Sequence, residues 1–95
     1  MMLEREISYP NRYLSRLRER LEPKIGDKEI TITRYIDPLD FRFYNRIKIN
    51  GVASGVCIID AEQMEDIYTL HGDDAINDIM DKIAAEIVYL WTREL

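Results

Sequence analysis

Residues 41–59 read FRFYNRIKINGVASGVCII, and this stretch decides the fold. At its centre lies Asn50-Gly51. A type I′ turn requires positive φ at both central residues, and Asn-Gly supplies it more readily than any other common pair. Upstream the residues alternate with period two. Phe41, Phe43, Ile47 and Ile49 face one side, while Arg42, Tyr44, Arg46 and Lys48 face the other. Downstream, residues 52–59 return as the second strand of a hairpin. A two-residue loop pairs Ile49 with Val52, Ile47 with Ser54, Asn45 with Val56 and Phe43 with Ile58, which gathers the apolar residues on one face. On the opposite face the same register sets Lys48 against Ala53, Arg46 against Gly55, Tyr44 against Cys57 and Arg42 against Ile59.

Working outward, residues 29–36 alternate again. Ile30, Ile32 and Ile36 face one side, with Thr31, Thr33 and Tyr35 on the other, and Asp37-Pro38-Leu39-Asp40 is a turn signal. Residues 9–22 read as a helix. Pro10 suits its first turn, Tyr13 or Leu14 joins Leu17 and Leu21 in an apolar stripe, and Pro23 and Gly26 end it. Residues 61–70 form a short helix capped by Asp60, with Met64, Ile67, Tyr68 and Leu70 as its apolar side. Gly72 breaks that helix. A longer one runs from about Asp74 to Arg93, capped by Asp73, with Ile76, Met80, Ile83, Ile87, Leu90 and Trp91 at a 3.6-residue period. The expected fold is α+β, a single domain over 1–95 in the order α-β-β-β-α-α. A three-stranded antiparallel sheet carries helices packed on it, the long C-terminal one on its apolar face.

The chain has 95 residues, of which 46% are apolar, enough for one modest core. No apolar run approaches the ~20 residues of a membrane helix. One cysteine, Cys57, permits no internal disulfide, and Met1 to Glu6 lacks the order of a signal peptide. A cytoplasmic setting is expected.

Charge is unevenly placed. Residues 1–50 carry 11 Lys+Arg and 8 Asp+Glu, whereas residues 51–95 carry 2 and 10, so the halves are +3 and −8 and sum to −5. From Asp60 to Asp81 eight carboxylates (Asp60, Glu62, Glu65, Asp66, Asp73, Asp74, Asp78, Asp81) occur with no Lys or Arg. Like charges at i,i+4 on a helix repel by ~0.2–0.5 kcal/mol per pair, so an ordinary solvated face usually mixes signs. A run that keeps its repulsion is a candidate docking surface for a basic partner, and its residues are Glu62, Glu65, Asp66, Asp73, Asp74, Asp78 and Asp81. The plain alternative is a solvated helix exterior with acids near helix N-termini.

A second candidate is the sheet face bearing Tyr35, Arg42, Tyr44, Arg46 and Lys48. Rings stack bases and cations hold phosphates, so this face could take single-stranded nucleic acid. Ala53, Gly55 and Cys57 opposite would keep it flat, although the glycines of an RNP1 motif are missing from Arg42–Ile47. A third is the stripe Arg12, Arg16, Arg20 on the first helix, a solvated face or a route to self-association with the acidic half of another copy. His71 reads as a loop or capping residue, and Cys57 as a small buried one. Phosphate loop, nucleophile elbow and zinc-ligand spacing are all missing, so no cofactor or metal ion is called for, and an enzyme is the least expected class.

The element order built around Asn50-Gly51, followed by the acid-rich Asp60–Asp81 segment, is similar to that of small acidic phage-encoded inhibitors of the anti-CRISPR type. The resemblance implies a compact domain that blocks an RNA-guided nuclease by covering its basic nucleic-acid site. The basic N-terminal half departs from that type. The α-β-β-β-α part of the order also resembles double-stranded RNA-binding domains, whose second helix begins with a basic cluster where this chain is acidic. The expected function is a non-enzymatic inhibitor or adaptor that docks an acidic helical surface on a basic patch of a partner protein that handles nucleic acid. A nucleic-acid-binding module and a self-associating structural subunit are the alternatives, and no membrane partner is expected.

Overall fold

A computed structural model describes residues 4–93, and the side chains of all of these except 52–57 and 93. The order is β1 (Glu4–Glu6), α1 (Asn11–Ile25), β2 (Ile30–Ile36), β3 (Phe43–Ile49), β4 (Val52–Cys57) and α2 (Ala61–Arg93). The strands form one antiparallel sheet in the order β1-β2-β3-β4. The α+β architecture expected from the sequence is found, with a fourth strand added at the edge. Glu4-Arg5-Glu6 carries no apolar residue to announce a strand, and pairing with Tyr35, Arg34 and Thr33 makes it one.

Both helices lie on one side of the sheet. Tyr13, Leu17, Leu21 and Ile25 of α1 meet Ile30, Ile32, Ile47 and Ile49 of the sheet and Met64, Ile76, Met80 and Ile87 of α2 in one continuous core. The overall extents, 38 × 36 × 19 Å, are those of a two-layer plate. Thr31, Tyr35, Tyr44, Arg46 and Lys48 therefore stay uncovered by helix and half-exposed. No helix among the described residues is long and apolar enough to cross a membrane.

Several local expectations are corrected. Helix α1 starts after Pro10 and runs through Pro23 to Ile25. Pro23 is exposed and close to the end, so its missing N–H removes one hydrogen bond, and burial of Ile25 one turn beyond Leu21 carries the helix on. Gly26, at φ 75°, closes it by donating its N–H to the Glu22 carbonyl at 2.9 Å.

The Asn50-Gly51 turn forms as read, with φ of 50° and 79°, and sets Ile49 opposite Val52. The register beyond it differs. Lys48 pairs with Ala53, but Arg46 pairs with Cys57 rather than Gly55, across an irregularity between Arg46 and Lys48. A glycine inside a strand favours such a bulge, and the Ser54-Gly55 stretch lies within the affected segment. The flatness expected from Ala53, Gly55 and Cys57 concerns side chains outside the described set.

Strand β3 begins at Phe43, not at residue 41. Phe41 lies in the preceding turn at φ 58°, and it and Phe43 are 80% and 65% exposed rather than in the core. Asp37 and Asp40 cap the amides of Leu39 and Arg42, which lengthens the turn at the expense of the strand. Leu70 is also exposed, and Gly72 (φ 79°, ψ −168°) kinks α2 into arms over 61–71 and 73–93. The Asp73 carboxylate, expected as a cap, reaches across to Arg16 instead.

Candidate functional site

Spacing of four residues on α1 puts Arg12, Arg16 and Arg20 in one row. That row lies against α2. Arg12 meets Glu65 at 3.1 Å, Arg16 meets Asp73 at 2.5 Å and Arg20 meets Asp81 at 2.5 Å. Arg20 also donates to the Arg16 carbonyl, which fixes its guanidinium along the helix. Arg12 lies over the rings of Tyr13 and Tyr68, 5.5 and 5.6 Å from their centroids. Tyr13 beneath it is fully buried, and burial first, then the neighbouring Glu65 carboxylate, pushes its phenol pKa up. Tyr9 packs edge-on against Tyr13 and donates its hydroxyl to the Ile59 carbonyl at 2.6 Å; burial holds it well above the ordinary tyrosine range.

The acidic run is thus divided. Glu65, Asp73 and Asp81 face α1 and are paired. Asp60 accepts from Arg34 at 3.0 Å and from the amide of buried Asn45. Glu62, Asp66, Asp74 and Asp78 are exposed and have no ion pair among the described residues, two on each arm at i,i+4 spacing.

The uncovered sheet face brings Tyr35, Tyr44, Arg46 and Lys48 together. Tyr35 and Tyr44 stand opposite each other on β2 and β3 and stack, with centroids 5.7 Å apart and planes at 28°. The Arg46 guanidinium lies 3.9 Å from the Tyr35 centroid. Edge strand β1 adds acid to this face. Glu4 bridges Lys48 at 3.1 Å and accepts from Thr33 Oγ1 at 2.6 Å, and these contacts, the Thr33 bond first, hold its carboxyl below the usual range. Arg42 is set apart in the turn, exposed. The Tyr44 hydroxyl donates to Asp40, which lowers the Asp40 pKa and raises that of Tyr44.

Three features are absent from the sequence reading. Glu4 escaped because β1 did. The α1–α2 seam was available in principle, since Arg12, Arg16 and Arg20 and the acids of α2 are both helical rows. The third is the apolar exposure at the 37–42 turn, where the turn itself was announced by Asp37-Pro38-Leu39-Asp40 but Leu39 and Phe41 are 91% and 80% exposed. His71 is exposed at the kink, and the Cys57 side chain lies outside the described set. Comparison with protein-family models, curated proteins and solved structures returned no match to this chain.

Proposed function

We propose that this protein is a non-enzymatic binding protein, an inhibitor or adaptor that docks the outward acids of α2 on a basic patch of a partner protein that handles nucleic acid. The supporting observation is the pair of acid rows, Glu62 with Asp66 and Asp74 with Asp78, that stay exposed with no ion pair among the described residues, while α1 pairs Glu65, Asp73 and Asp81 and Arg34 of β2 pairs Asp60. Such rows repel internally, and a cationic partner relieves that repulsion. Long-range attraction would speed encounter and make binding salt-sensitive. Nucleic-acid binding through Tyr35, Arg42, Tyr44, Arg46 and Lys48 ranks second, because Glu4 already occupies Lys48 and Arg46 already covers a ring.

The test is a tagged pull-down from host lysate, with and without digestion of nucleic acid, at low and moderate salt. The wild type should retain a protein at low salt and lose it at moderate salt. The combined variant Glu62→Gln, Asp66→Asn, Asp74→Asn, Asp78→Asn should retain at most about a tenth as much. Unchanged retention by that variant overturns the proposal, and material that vanishes on digestion transfers the function to the sheet face.

A further inference from the structure

The β2–β3 turn carries a group of apolar side chains that the fold leaves uncovered. Leu39, Phe41 and Phe43 are 91%, 80% and 65% exposed within five residues. Single exposed apolar residues are ordinary, but a cluster on an ordered tip marks a contact surface. The tip is held in shape. Phe41 donates its N–H to the Asp37 carbonyl at 2.8 Å, Asp37 donates to the Arg42 carbonyl at 3.0 Å, and Asp37 and Asp40 cap the amides of Leu39 and Arg42. Phe41 pays for this shape with φ of 58°, a region that bulky residues avoid. Strain kept at an exposed aromatic is a reason to seek a role for it.

At the foot of the same tip lies a hollow of about 330 Å³ lined by Glu4, Arg5, Arg34, Tyr35, Ile36 and Phe43. Its floor is largely apolar. Arg34 is held by Asp60 and Asn45, whereas Arg5 is exposed and has no ion pair among the described residues. The tip presents Asp37 and Asp40, which also have none. Leu39 and Phe41, with Asp37 and Asp40 and the exposed cation Arg42 beside them, thus adjoin a largely apolar hollow walled by Phe43 and edged by Arg5. A two-fold contact needs this self-complementarity, knob and hole on one surface. We propose that the 37–43 tip of one copy seats in the hollow of a second copy and receives that copy's tip in return, with Asp37 and Asp40 facing the partner's Arg5.

Strand-to-strand pairing along β1 is the less suited route to a dimer, since Glu4-Arg5-Glu6 guards that edge with charge. Three apolar side chains per copy bury less than the ~800 Å² per partner of a standard interface. The dimer is therefore weak, with a dissociation constant on the order of 0.1–1 mM. It uses neither acid row of α2 and stands apart from the docking proposed above.

Sedimentation velocity between ~20 µM and ~1 mM, spanning that constant, tests it. The weight-average coefficient of the wild type should climb towards the dimer value. Phe41→Gly suits the positive φ, so it should fold at least as well while weakening association at least about tenfold. Arg5→Glu should weaken it similarly, and Leu70→Ser, an exposed apolar residue elsewhere, should leave it unchanged. A wild type that stays monomeric throughout overturns the proposal. So does association that survives both Phe41→Gly and Arg5→Glu.

Discussion

The α1–α2 seam and the β2–β3 tip fail the sequence reading in opposite directions. Arg12, Arg16 and Arg20 and the acids Glu65, Asp73 and Asp81 read as solvated helix faces or as surfaces for another molecule, and they meet each other inside one chain. Phe41 and Phe43 read as core, and they stand in solvent. Periodicity reveals which side chains share a face. It does not reveal what that face meets, because that depends on which element is laid across it. The seam is charge covered by its own fold, and the tip is apolar surface that the same fold stops short of covering. A helix row of one sign is evidence for a partner only after the chain's own opposite row has been accounted for.

The sharpest way to break this contrast is to truncate one leucine in each environment. Leu17 is fully buried between α1, the sheet and α2, whereas Leu39 is 91% exposed. Leu17→Ala should destabilise the fold by roughly 2–5 kcal/mol, through lost transfer free energy and the cavity left behind. Leu39→Ala should change stability by no more than about 0.5 kcal/mol. Urea unfolding of the two variants checks this. A Leu39→Ala loss comparable to that of Leu17→Ala would mean that the tip is part of the core.

The seam makes a smaller claim. Arg20 and Asp81 are 23% and 63% exposed at the side chain, so their attraction works partly through water. A double-mutant cycle on Arg20→Ala and Asp81→Ala should give a coupling of about 0.5–1 kcal/mol that shrinks at high salt. The cycle on Asp74→Ala and Asp78→Ala should give a coupling of opposite sign and about 0.2–0.5 kcal/mol, since these like charges lie one turn apart. Two couplings of the same sign would dissolve the division of the acidic run into inward and outward members.

What could be read from the sequence follows from how local each cause is. Asn50-Gly51 fixes its own φ angles, so the turn and the Ile49–Val52 pair were legible. The register two residues further on was not, because the irregularity between Arg46 and Lys48 leaves no apolar mark. Ile76, Met80, Ile83 and Ile87 repeat with the helical period and are buried. β1 was invisible because its strand character comes from the β2 edge it joins. With β1 came Glu4, which turned a face that looked uniformly basic into one with an internal ion pair. Of the candidate acids, position along the run could not separate Glu65 from Asp66. Only the direction of α1 across α2 does so.

The smallest effect concerns acid. Glu4 and Asp40 both have folded pKa values below their ordinary ones, Glu4 chiefly through the Thr33 hydroxyl and Asp40 chiefly through the Tyr44 hydroxyl, with the Arg42 amide next. A carboxylate lowered in the folded state binds protons more weakly there than in the unfolded chain. Its stabilisation is complete above the unfolded pKa and is lost as pH falls through the folded one. These two groups should therefore contribute no change between pH 7 and about 5, and a loss beginning below about 4. The loss should be local at first, because Asp40 shapes the tip while Leu17 is held by apolar packing in the core. In an NMR acid titration the Arg42 amide, bonded to the Asp40 carboxylate, should shift below about pH 4 while the Leu17 amide holds its position. Asp40→Asn should place the Arg42 signal near its acid-limit position already at neutral pH and flatten its titration. If Arg42 and Leu17 move together in the wild type, the tip is coupled to the core, and the contrast between a covered seam and a free-standing tip fails at its second member.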